Sequence, residues 1–208
     1  IGSSPLGATT VRASAVRALA NQSPQRTLAD MAKPLHDARR AVRVAAAAQV
    51  AYLPFDALSD TDRAAFEDAL KEFRGTQEFA LDHAGAHLSL SELEAHQGRW
   101  EEAIEHLQSA LMLEPSTAGA RGKLASLLAE HGGDAKEIRR LRAEEADLME
   151  RDSKRVPDNA EVFYQLGLLR YLLGQYDEAD AALIRAFHLS PQTYDYGMAL
   201  ALLQEKRY

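Results

Sequence analysis

The chain has 208 residues, 46% of them hydrophobic and 7% aromatic, with no cysteine and a formal net charge of −7. The missing cysteine excludes disulfides, thiolate catalysis and C-x-x-C-H haem attachment within this sequence, and no apolar run approaches the roughly 20 residues that a membrane-spanning helix needs. The acidic balance argues against phosphate binding through many Lys and Arg contacts, so no nucleic-acid partner is expected. Scarce β-branched alternation predicts an all-α fold.

Residues 1–58 are net +4 and residues 59–208 net −11. Val11–Leu19 and Val42–Val50 echo each other at an offset of 31, and between them Pro24–His36 predicts an amphipathic helix with Leu28, Met31, Ala32 and Leu35 on its apolar face. In the stretch Leu35–Ala47 a turn with Asp37 leads into Val42-Arg43 and an Ala-rich helix. This stretch resembles a short HEAT-type repeat, of which residues 1–58 would hold about two. The resemblance implies that Arg12 and Arg43 pair with an acidic turn residue, with Asp37 the candidate. The alternative for Arg39, Arg40 and Arg43 is a basic patch.

Pro54 ends this block, and Ser59, Asp60 and Asp62 then read as an N-cap with acidic first-turn residues. A connecting helix is expected from Asp60 to about Asp82 within residues 59–83, carrying Phe66, Leu70, Phe73, Phe79 and Leu81 and interrupted at Gly75.

Further on, Gly98–Pro115 and Gly174–Pro191 state one phrase twice, 76 residues apart. Gly98 and Gly174 are expected to end a helix in the left-handed conformation that Gly adopts cheaply. Trp100 and Tyr176 open the next helix as apolar anchors. Ala103, Ala110, Ala179 and Ala186 form a small-residue face flanked by Leu107, Leu113, Leu183 and Leu189, and Pro115 and Pro191 stop the helix.

With their upstream partner helices these phrases form units of 34 residues, 84–117 and 160–193, which resemble the tetratricopeptide repeat. Phe163, Leu166, Gly167, Tyr176, Ala179, Leu183, Ala186 and Pro191 occupy signature positions in the second unit. In the first, His87, Ser91 and Glu94 replace signature residues, and looser packing is expected there. Two periods fitted into 76 residues leave eight, so 118–159 is expected to be another repeat with an insertion in its second helix. From Asp134 to Val156 neither Gly nor Pro interrupts that helix. Its pairs Arg140–Glu144 and Arg142–Glu145 are expected to be ionic. Residues 194–208 read as a capping helix. The resemblance implies a right-handed α-α superhelix, a solenoid of HEAT-like and tetratricopeptide hairpins.

Chemistry is harder to find. His83 and His87 stand four apart, a spacing that suits a metal, but no third ligand follows and His87 occupies a packing position of the repeat. Glu101-Glu102 and Glu144-Glu145 are expected on exposed faces, without the desolvating pocket that acid–base work needs. No catalytic residue, metal or cofactor is therefore read from the sequence.

The family resemblance implies instead a concave groove for a protein or peptide partner. Its lining carries over to Leu88, Glu92 and His96, then Gly122, Ser126 and Glu130, then Tyr164, Leu168, Tyr171 and Leu172, and finally Met198 and Leu202. Leu88 and Glu92 stand where a Lys and an Asn would clamp an acidic terminus, which points to an apolar peptide. The alternative is that Tyr164, Leu168 and Leu172 are covered by the capping helix. The order of HEAT-like and tetratricopeptide repeats also resembles the C-terminal part of certain bacterial multihaem cytochrome c proteins. That resemblance implies a periplasmic accessory domain of a redox protein; a self-associating element is a third reading. Starting at Ile1 without a charged leader, the sequence reads as a fragment or a processed product.

Overall fold

A computed structural model describes residues 12–15, 24–51, 58–193, 195, 197 and 199. Among them every regular element is an α-helix: α1 Pro24–Leu35, α2 Arg40–Val50, α3 Asp60–Glu78, α4 Ala84–His96, α5 Trp100–Leu113, α6 Ala120–Glu130, α7 Ala135–Arg155, α8 Ala160–Leu172 and α9 Tyr176–Leu189. Residues 12–15, 195, 197 and 199 are also helical. No helix among the described residues is long and apolar enough to cross a membrane. The chain divides into two compact units, Ile1–His106 and Leu107–Tyr208, with the division inside α5.

In the first unit, α1, α2 and α3 bury one apolar cluster. Met31 and Leu35 of α1 meet Val42, Ala46 and Val50 of α2 and Phe66, Ala69 and Phe73 of α3. The run of alanines in α2 suits this contact, since small side chains let helices approach closely while burying little surface each. Ser59 caps α3 by accepting the Asp62 N–H at 3.2 Å, and Asp60 and Asp62 place negative charge at the positive end of the helix.

Two expectations for α3 are corrected. Gly75 does not interrupt it, and the helix ends at Glu78, so Phe79 and Leu81 lie in the turn that follows. Phe79 is 94% exposed. Six residues beyond Phe73, at about 100° per residue, Phe79 would face away from the buried stripe even if the helix continued.

Charged groups tie the elements of this unit together. Arg12 donates to the Asp37 carboxylate at 3.1 Å, and Arg43 donates to the Asp37 backbone carbonyl at 2.8 Å. Arg43 also forks onto Glu72 of α3 at 3.1 and 2.5 Å. Asp37 is held below the usual carboxylate range by the Arg39 backbone N–H and, after that, by Arg12.

The second unit is a succession of packed neighbours in which α6 packs on α7, α7 on α8 and α8 on α9. At 21 residues α7 is the longest described helix, against 14 for α9. Asp134 starts it by accepting the Lys136 and Glu137 N–H groups at 3.0 and 2.9 Å, and Asn159 does the same for α8. Ala146 of α7 packs with Leu166, Leu169 and Leu173 and with Ala182 of α9.

The ends of α4 and α8 are built identically. Gly98 and Gly174 have φ of +72° and +77°, in the left-handed region. The following N–H groups, of Arg99 and Gln175, each reach back 2.9 Å to the carbonyls of Glu94 and Arg170. This pairing satisfies carbonyls that the helix end would otherwise leave open.

Other expectations fail as well. Glu145 is not on an exposed face but 1% exposed, and it bonds to Gly119 rather than pairing with Arg142. Leu113 and Tyr176, expected to be packed, are each about half exposed. Ser91 and Glu94, the departures from the repeat signature in α4, are both 2% exposed and hydrogen-bonded.

Candidate partner-binding surface

The α8 face carries four of the expected residues. Tyr164, Leu168, Tyr171 and Leu172 follow a spacing of four, three and one, which sets them on one side of the helix. Tyr164 and Tyr171 are half-buried against Ala179 and Leu183 of α9, and Ala199 joins the same cluster. The Tyr171 ring also meets Tyr176, with centroids 5.7 Å apart. Burial, then the nearby carboxylates of Asp195 and Glu161, raise the Tyr164 phenol above its ordinary value, so it stays neutral around pH 7. Leu168 is half-buried, while Leu172 remains 52% exposed.

This face exists because α8 lies unusually close to α9. A Cβ on Gly167 would sit 2.7 Å from Leu183 Cγ and 3.3 Å from the Ala179 carbonyl oxygen. Only a residue without a side chain permits that approach, and it fixes how Tyr164 and Tyr171 sit beside the cluster. From the other side, Arg170 clamps α8 to α7 through Glu150 at 2.7 Å and Asp147 at 3.6 Å, and it bonds Gln175 at 2.9 Å.

The other expected residues are less uniform. On α6, Ser126 and Glu130 are exposed, whereas Gly122 is half-buried, where an added Cβ would sit 3.7 Å from Glu145 Cγ. On α4, in the first unit, Leu88 and Glu92 are half-buried and His96 is exposed beside Phe66, Leu70 and Arg99, around a cleft of about 450 Å³. Met198 and Leu202 lie outside the described residues.

Sequence reasoning missed polar groups buried in the first unit. Glu94 takes Arg74 and Arg99 on its two oxygens, and His87 meets His106 with Nδ1 atoms 3.0 Å apart. The signal was present in the departures at His87, Ser91 and Glu94, since signature positions of this repeat face inward.

Residues 160–193 match the tetratricopeptide repeat family model. They span α8, α9 and the turns around them, the hairpin in which Gly167 meets Leu183. No curated protein matches the chain in sequence. Among solved structures, MamA residues 41 to the end from Desulfovibrio magneticus RS-1 is similar at 18% identity and a TM-score of 0.51, covering 71% of this chain and 78% of that one. A MamA RS-1 ArsTM double mutant gives the same identity and coverage with a TM-score of 0.50. At this identity the likeness is one of fold: an all-α chain of tetratricopeptide-type hairpins.

Proposed function

We propose that this chain is a non-enzymatic scaffold that holds a peptide or protein partner against the exposed faces of its first-in-hairpin helices. The observation that carries this reading is the α8 face within the matched repeat. There Tyr164 and Tyr171 are only half-buried and Leu172 is largely open. Aromatic rings with a polar tip and an adjacent open leucine suit an apolar segment of a partner, whose burial supplies the driving force while the phenols give direction.

Selection from a displayed library of random peptides tests it. Peptides with apolar anchors at regular spacing should be enriched on the intact chain and lose at least tenfold in affinity to the Tyr164→Ala/Leu168→Ala double variant, with helicity retained by circular dichroism. No enrichment, or equal affinity for both proteins, would remove this surface from the reading. Light scattering over a concentration series tells partner capture from self-association.

For residues 1–58 the HEAT-like reading is also a proposal. Its support is the linkage of Arg12 and Arg43 through the two faces of Asp37, side chain and backbone.

A further inference from the structure

The hairpin that departs most from the repeat signature replaces an inward-facing residue with His87, and His106 of α5 comes to meet it. Their Nδ1 atoms are 3.0 Å apart, with ring planes tilted by 51°. His87 Nε2 lies 3.1 Å from the Leu81 carbonyl oxygen. A carbonyl only accepts, so Nε2 carries the hydrogen and, in the neutral ring, Nδ1 is left with its lone pair. This is the arrangement by which an outer carbonyl fixes the tautomer and aim of a metal-ligating imidazole.

We propose that His87 and His106 form a two-nitrogen chelate for a divalent cation of the Cu(II) or Ni(II) class. With metal–nitrogen bonds of about 2.0–2.1 Å, donors this close subtend about 91–97° at the metal. That angle suits neighbouring corners of a square-planar or tetragonal site and is tight for a tetrahedral one. The ion takes the place of the hydrogen now shared between the rings. His106 keeps its single proton by carrying it on Nε2, so two neutral imidazoles bind with no net proton release. Among the described residues no three His, Asp or Glu side chains gather around one point, so water completes the coordination.

The surroundings are compatible with this. Burial and then His87 hold His106 below the ordinary imidazole value. Glu94 and Glu105 favour added positive charge there and Arg74 opposes it. Glu94 already balances Arg74 and Arg99, so it remains outside the coordination shell.

The test uses the full chain without a histidine tag. Cu(II) is titrated at pH 7.5 and followed by calorimetry, with electron paramagnetic resonance at one equivalent. The expected result is a saturable single site whose spectrum carries coupling from two nitrogens. His87→Ala and His106→Gln should each weaken it at least tenfold, and His83→Ala should leave it unchanged. His106→Gln preserves a hydrogen-bonding side chain, so it separates loss of a ligand from loss of packing, and circular dichroism checks both variants. Equal Cu(II) affinity in either variant, a spectrum without two-nitrogen coupling, or no saturable binding overturns the proposal. None of these results depends on the α8 surface.

Discussion

Glu145 of α7 accepts the backbone N–H of Gly119 at 2.7 Å, so a carboxylate from one helix closes the first turn of its neighbour α6. Gly119 has no side chain with which to cap α6, and its φ of +76° is available to few other residues. The second carboxylate oxygen, Oε2, is buried without a hydrogen-bond partner. The expected outcome follows from that asymmetry. Glu145→Ala should lower stability by about 1–3 kcal/mol, the usual loss when a buried bond to a charged group is removed. Glu145→Gln keeps an acceptor for Gly119 and should cost less. Urea denaturation of the three proteins checks the order.

Two glycines inside helices should respond in opposite directions to the same change. A Cβ on Gly167 would meet Leu183 Cγ at 2.7 Å, so Gly167→Ala forces α8 and α9 apart and should destabilise by about 1–3 kcal/mol. Gly75 has nothing within 4 Å of its added Cβ, and Gly75→Ala should stabilise α3 by about 0.5–1 kcal/mol. Thermal melts that shifted the same way for both would show that these two sites do not differ as described.

The Asp37 carboxylate carries a prediction about pH. Its value is depressed in the folded chain, first by the Arg39 N–H at 2.8 Å and then by Arg12. A depressed acid stabilises the fold above its unfolded value of about 3.9, and that stability is lost as the pH falls through the lower, folded value. Asp37→Asn should therefore lower stability by about 1 kcal/mol at pH 7, since Arg12 is largely solvated. The difference should shrink as the pH falls below the unfolded value and vanish once it lies below the lower, folded one. A constant difference across that range would mean that the charge of Asp37 is not what matters.

How legible was all this in the sequence? The helices could be read because their punctuation is chemical: Gly98 and Gly174 supply the left-handed residue, Ser59 supplies a cap, and no Gly or Pro breaks 135–155. The surface was less legible. Spacing placed Tyr164, Leu168, Tyr171 and Leu172 on one side of α8, yet how deeply each sinks depends on what packs beside it, and Ala199 lies far along the chain. Charged residues were the hardest. Glu144 and Glu145 are adjacent and identical in type, but a step of 100° puts Glu144 among Arg121 and Arg140 at the surface and Glu145 at the N-terminus of α6. No local rule says which of the two a neighbouring helix will cover.

Glu94 offers the sharpest check on how the first hairpin does without the usual large residue. It is 2% exposed and takes Arg74 from α3 and Arg99 from the turn after α4, each arginine itself about one-third exposed. Removing the carboxylate with Glu94→Ala leaves a cavity and two arginines without their carboxylate, with Gln97 Oε1 as their remaining acceptor. Because both can still turn toward water, the expected loss is about 2–3 kcal/mol, below the 3–5 kcal/mol typical when a fully buried charge is stranded. Glu94→Leu restores the lost volume and should recover part of that loss, since apolar replacement of a buried ionic group is often nearly neutral. A double-mutant cycle between Glu94→Ala and Arg74→Ala should give a coupling of at least about 1 kcal/mol. If the two losses simply add, the packing of Glu94 and not its pairing holds α3 to α4.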